Sequence, residues 1–280
     1  MRVAKFWARS QAEDGYGRGA WGASDHSLEQ AKSIADRLAQ QRLAEVIAAD
    51  DSSLHHYEYE RHDMPEPIVQ DLHDRSGQRI GAVTINRYGA RVLNTVRLAF
   101  VDVDLQPPEA PPGLIGRLLG KRRQTPDGTA QAINRLSNWV GQSEQHAARV
   151  YRTAAGLRYL LTSPAMDPTS EQTRHLMAQL GADPLYARLC HAQRSFRARL
   201  SPKPWRLGIR GTPRLSYEKL SDTNDEIATW LRTYEHASRG HATCELIDEI
   251  GNTRPPDDDT ARLISIHDEM SGVGQALPLA

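Results

Sequence analysis

Apolar residues recur along the chain with two different periods. Residues 2–9 alternate apolar and polar positions like a first strand, and Gly15, Gly17, Gly19 and Gly22 read as a turn-rich loop around Tyr16 and Trp21. Ser24 or Asp25 then caps a helix whose Leu28, Ala31, Ile34, Ala35 and Leu38 share one face, extended by Leu43, Val46 and Ile47. Between residues 68 and 104 the period falls to two. Strand-like runs at 68–72, 80–85 and 92–103, separated by turns at 75–77 and 86–89, predict a β-meander whose last run is one long strand or two. Residues 129–140 place Ile133, Leu136 and Val140 on one helical side, and 150–162 read as a hairpin turning near Gly156. A helix through Leu176, Met177 and Leu180 ends at Gly181, and Asp183-Pro184 opens another helical segment. Beyond residue 221 the pattern is helical: Ile227, Trp230, Leu231 and Tyr234 fall at helical spacing, and Asp257-Asp258-Asp259 starts a further helix before a tail that reads as disordered.

These elements predict an α+β protein with a core domain over 1–215, an exposed excursion at 106–128, and a helical C-terminal extension over 216–280. Composition adds little that is decisive. Lys and Arg (35) balance Asp and Glu (35), so no global field attracts a polyanion and any such attraction must be local. Cys190 and Cys244 are too few for a disulfide framework and read as small core residues. With no leader-like start and no long apolar run, the chain is expected to be cytoplasmic, without a membrane partner.

Charge becomes informative in two places. Asp102 and Asp104 end a strand two residues apart, so they share one face with Cα atoms roughly 6–7 Å apart. Such a pair holds a divalent cation or stands solvated at a strand end. Then, between Pro184 and Tyr217, Arg188, Arg194, Arg197, Arg199, Lys203, Arg206, Arg210 and Arg214 occur without a single acid. Arg197 and Arg199 alternate in register and so face one way. The run suits a phosphate-bearing ligand, or acids elsewhere in the chain. Lys121, Arg122 and Arg123 add a basic tip in the 106–128 excursion that could touch a nucleic-acid backbone. His55, His56, His62 and His73 lack metal-ligand spacing, and His267-Asp268-Glu269 diverge around a helix.

In order, Asp102-Val103-Asp104, the hairpin with Thr153, Gly156 and Arg158, and Asp183 followed by Arg197, Arg199 and Lys203 resemble the archaeo-eukaryotic primase superfamily, including the primase-polymerases. The likeness spans roughly residues 80–205 and is one of motif order. It departs from the family pattern where Arg158 stands in place of a nucleotide-binding His, and Asp167 competes with Asp183 for the third acid. The resemblance implies an RRM-like, mainly antiparallel sheet with helices on one face. It implies DNA replication or repair chemistry: template-directed nucleotidyl transfer from nucleoside triphosphates on DNA or RNA. Asp102, Asp104 and Asp183 would hold two Mg²⁺ or Mn²⁺ ions about 3.5–4 Å apart. Thr153, Gly156, Arg158, Arg197, Arg199 and Lys203 would bind the nucleotide. The alternatives are a non-catalytic nucleotide or nucleic-acid binder on the same fold, and a protein-interaction module with a basic face.

Overall fold

The protein is seen in a computed structural model that describes residues 1–11, 19–48, 65–105, 128–162, 166–209, 213, 215–221 and 225–280. It is α+β, with three antiparallel sheets among those residues. The first is the hairpin β1 (Phe6–Gln11) and β2 (Gly19–Ser24), covered by α1 (Leu28–Ala48). The glycine-rich stretch, expected as loop, thus contains a strand. Its reason is steric: a Cβ on Gly22 would lie 2.0 Å from the Ala31 carbonyl oxygen and 2.4 Å from the Ala35 nitrogen. Gly22 lets the hairpin touch the helix backbone, over buried Ala31, Ala35 and Ala39.

The second sheet has the order β3 (Ile68–His73), β4 (Arg79–Ile85), β5 (Arg91–Thr95) and β9 (Phe196–Arg199). The third has the order β10 (Cys244–Ile250), β7 (Ala148–Thr153), β8 (Gly156–Leu161) and β6 (Ala99–Asp104). The run expected as one strand or two is two, and the pair belongs to different sheets. Between them Thr95 Oγ1 donates to the Ile80 carbonyl (2.7 Å) and accepts from the Arg97 N–H (3.1 Å), which anchors the bend at the switch. The predicted meander is therefore shared between two four-stranded sheets where the resemblance implied one.

Helices α2 (Gly128–Val140), α3 (Glu171–Leu180) and α4 (Pro184–Gln193) follow β6 and the hairpin. Ser170 caps α3 by accepting from the Thr173 N–H (3.1 Å), and Gly181 closes it at φ +82°. One buried cluster joins Val83 and Leu93 of the second sheet, Phe100, Tyr151 and Tyr159 of the third, and Leu136, Met177, Cys190 and Leu263 of the helices. Each large apolar side chain of this kind stabilises the fold by about 1.5–3 kcal/mol when fully buried, so the second and third sheets and the helices packed on them share one core.

The tail departs most from expectation. Helices α5 (Tyr217–Ser221), α6 (Asp225–Ser238) and α7 (Asp258–Ser271) are present, but β10 lies between them and pairs with β7. A register shift between Leu246 and Asp248 interrupts its alternation, which hides the strand in the sequence. Nor is the end loose. Ala280 is buried, its N–H donates to the Ala242 carbonyl (3.0 Å), and the Ala242 N–H donates to that of Pro278 (3.0 Å). Among the described residues, no helix is long and apolar enough to cross a membrane.

Candidate functional site

Strand β6 delivers its two acids as the alternation requires: Val101 and Val103 are buried, while Asp102 is half-buried and Asp104 exposed. In the β6–β8 register Asp102 stands directly opposite Arg158, and Arg158 opposite Tyr151 of β7. Asp102 and Arg158 form a two-pronged ion pair. Nε donates to Oδ1 at 2.7 Å and Nη2 to Oδ2 at 3.2 Å. The Arg158 side chain is 3% exposed and that of Asp102 30%. Burial alone would raise the Asp102 carboxyl, but the Arg158 charge and hydrogen bonds outweigh it and hold the group below the usual carboxylate range. The third Arg158 nitrogen, Nη1, donates to the Arg199 carbonyl at 3.0 Å and reaches His267 Nε2 at 3.4 Å.

That second contact settles the tautomer of His267. Arg has no acceptor, so Nε2 must accept, and the proton sits on Nδ1, which donates to Asp268 Oδ1 at 2.9 Å. His267 is fully buried, near Phe100 and Tyr151 at centroid distances of 5.1 and 5.0 Å. Burial lowers its pKa, the Asp268 bond opposes this, and the Arg158 charge reinforces it; the ring stays below the ordinary imidazole value. Asp268 also accepts from Tyr151 OH and from Arg149 Nη1, both at 2.9 Å. The two residues expected to diverge on their helix both serve this buried network. Instead of diverging they hydrogen-bond each other, and each meets a partner on the sheet, His267 at Arg158 and Asp268 at Tyr151.

Beyond Asp104 the cations collect. Lys203 and Arg206 follow β9 on the 3₁₀ turn Pro204–Leu207 and its flank. The segment is anchored: Ser201 Oγ and Tyr234 OH lie 2.7 Å apart, and Tyr234 OH donates to the Pro202 carbonyl at 2.7 Å. Arg199 is pushed below its ordinary pKa by burial first and by the Arg158 charge second, with Asp102 opposing. Lys203 is likewise lowered by burial, then by Arg199 and Arg206, with Asp104 and Asp102 opposing. Among the described residues, no carboxylate oxygen lies within 4 Å of Arg199, Lys203 or Arg206. Beside them stand aromatics that sequence reasoning did not single out. Trp205 is 52% exposed with the Lys203 ammonium 5.5 Å from its ring centroid, and Tyr88 meets it edge-on at 5.5 Å. The dense Lys-Pro-Trp-Arg run from Lys203 to Arg206 was the available signal.

The other residues singled out in the sequence fall elsewhere. Arg197 does not join Arg199: it is buried, donating from Nη1 to Asn94 Oδ1 (2.8 Å) and from Nη2 to Glu66 Oε1 (2.7 Å). Glu66 also accepts from the Thr84 hydroxyl, which completes a closed network. Gly156 serves a close approach, since a Cβ there would lie 2.0 Å from the Val103 carbonyl oxygen. Thr153 ends β7, its hydroxyl accepting from the Ala155 N–H at 3.4 Å. Asp183 is close to the pair, its N–H donating to the Asp102 carbonyl at 2.9 Å, but its carboxylate caps α4 through the Leu185 N–H at 2.9 Å. Asp167 folds onto Thr169 in a local turn. Lys121, Arg122, Arg123, His55, His56, His62, Arg210 and Arg214 lie outside the described residues.

Two bridging divalent ions would compete with Arg158 for Asp102 and with the N-terminus of α4 for Asp183. Both Asp102 oxygens are taken by Arg158, an Asp183 oxygen is taken by its helix, and no cluster of three ligating side chains occurs among the described residues. The arrangement suits an anion instead. Arg158 pairs with Asp102, and among the described residues Arg199, Lys203 and Arg206 form no ion pair with a carboxylate. No family model, no curated protein and no solved structure matches the chain.

Proposed function

We propose that the protein binds the phosphates of a nucleotide or nucleic acid at the end of β6, without metal and without nucleotidyl transfer. One observation carries this reading: among the described residues three neighbouring cations, Arg199, Lys203 and Arg206, have no carboxylate partner, while Asp102 is already paired from within by Arg158. Burial lowers Arg199 and Lys203 first and neighbouring cations add to it, Arg158 and Arg206 on the one, Arg199 and Arg206 on the other; an incoming phosphate offsets those charges, and an arginine offers it paired donors. The test is fluorescence anisotropy of a labelled oligonucleotide in EDTA across a salt series. Binding should weaken steeply with salt, and Arg199→Ala, Lys203→Ala and Arg206→Ala should each lower the salt slope by about 1. Slopes unchanged in all three variants would remove the reading, and a basic face for a protein partner would stand in its place.

A second reading, metal-dependent nucleotidyl transfer, draws support from the closeness of Asp183 to Asp102 and from Asp104 at the open strand end. It requires Arg158 to release Asp102. A primer-extension assay with Mn²⁺ and nucleoside triphosphates separates the two readings: the expected result is no incorporation above that of Asp102→Ala with Asp104→Ala.

A further inference from the structure

Resting on the phosphate-binding reading, the geometry points to a second element of the site: Trp205 and Tyr88 form a ledge that stacks an unpaired nucleobase next to the bound phosphates. Trp205 is the second residue of the 3₁₀ turn, between Lys203 and Arg206, and Lys203 links the two parts: its ammonium lies 5.5 Å from the Trp205 ring centroid and feels the charges of Arg199 and Arg206. A tryptophan 52% exposed forgoes much of the burial its large apolar surface offers. Its position is nonetheless set. Pro204 before it is buried, the Arg206 N–H donates to the Lys203 carbonyl at 2.9 Å, and the Tyr88 ring stands at 86° to the indole. Tyr88 is held in turn by Arg87, whose guanidinium carbon lies 4.8 Å from the phenol centroid and whose Nη2 donates to the phenol oxygen at 2.6 Å. The turn carrying Tyr88 is itself fixed, since Asn86 Oδ1 accepts from the Tyr88 and Ala90 N–H groups at 2.9 and 3.1 Å.

An aromatic face set among cations matches the two halves of a nucleotide. The ring takes the flat base, and Lys203, Arg199 and Arg206 take the phosphates. A base inside a duplex is stacked on both faces and cannot lie on the indole, so the ligand class is an unpaired base, in a single strand or a free nucleotide. Stacking of this kind tolerates any base.

The experiment compares four probes by anisotropy or competition: a single-stranded oligonucleotide, an abasic strand of equal length, the matching blunt duplex and free AMP. Wild type should prefer the base-bearing strand to the abasic one. Trp205→Ala should weaken the base-bearing strand by roughly 5- to 150-fold, the range for one lost aromatic–base stack, with abasic-strand and duplex binding unchanged. Trp205→Phe should keep most of the affinity, and Tyr88→Ala should reproduce part of the loss. Loss for AMP equal to that for the strand identifies a free nucleotide as sufficient; loss for the strand alone identifies a polynucleotide. Equal binding of abasic and base-bearing strands, or an unaltered Trp205→Ala, overturns the ledge. In that case weakened binding in Arg199→Ala and Lys203→Ala leaves the phosphate reading intact, whereas charge variants that bind every probe like wild type remove both.

Discussion

At the scale of single residues, Asp102 and Arg158 are each other's solvation. Asp102→Ala leaves a guanidinium 3% exposed without its counter-charge, and the expected loss is about 3–5 kcal/mol in urea unfolding. Asp102→Asn with Arg158→Met, which removes both charges together, should lose much less. Because Arg158 holds Asp102 below its unfolded value, the contribution is present above a pH of about 4 and is lost as pH falls through the folded pKa. His267 acts in a higher window. Its folded pKa is lowered, so the unfolded chain takes up the proton first, and stability should decline as pH falls below about 6.5. Urea midpoints measured at successive pH values should show that decline in the wild type and lose it in His267→Phe. A midpoint independent of pH in the wild type would contradict the buried neutral ring.

At the scale of elements, the hairpin β7–β8 and strand β6 act as one unit, because Gly156 lets the strand end lie flat on β6. Gly156→Ala should destabilise by about 1–3 kcal/mol or more, since the obstacle is a backbone carbonyl that cannot step aside. Helix α7 is pinned to that sheet through Asp268, and Tyr151→Phe should remove about 1 kcal/mol by deleting one hydrogen bond. A Tyr151→Phe variant as stable as wild type would show that α7 is held by its apolar residues alone. These elements were legible to different degrees. The strand ending in Asp102 and Asp104, the hairpin, and the helix ends at Asp183, Gly181 and Asp257 follow from alternation and local side-chain chemistry. β2 and β10 did not show themselves. One carries glycines that meet a helix, and the other is an edge strand with a shifted register.

For the whole molecule, the core shared by the second and third sheets means that their opening should be cooperative. Cys190 and Cys244 report it: both are buried, and burial pushes the Cys190 thiol up to about 11 and raises that of Cys244. Neither should react with a thiol reagent in the native protein at neutral pH, and both should label together when urea unfolds it. Fast labelling of one alone would show a part that opens independently.

The α+β class, the order of the central elements and the shared face of Asp102 and Asp104 were determined by the sequence itself, because period-two alternation and capping act between residues a few positions apart. Which charges neutralise each other was decided only by the tertiary structure. Arg197 and Arg199 share a strand and a parity, yet one closes on Glu66 and the other faces Lys203. Arg158 is joined to Asp102 from 56 positions away and to His267 from 109. An ion pair depends on distance in space and on the water excluded around it, and neither quantity is carried by the local pattern of the chain.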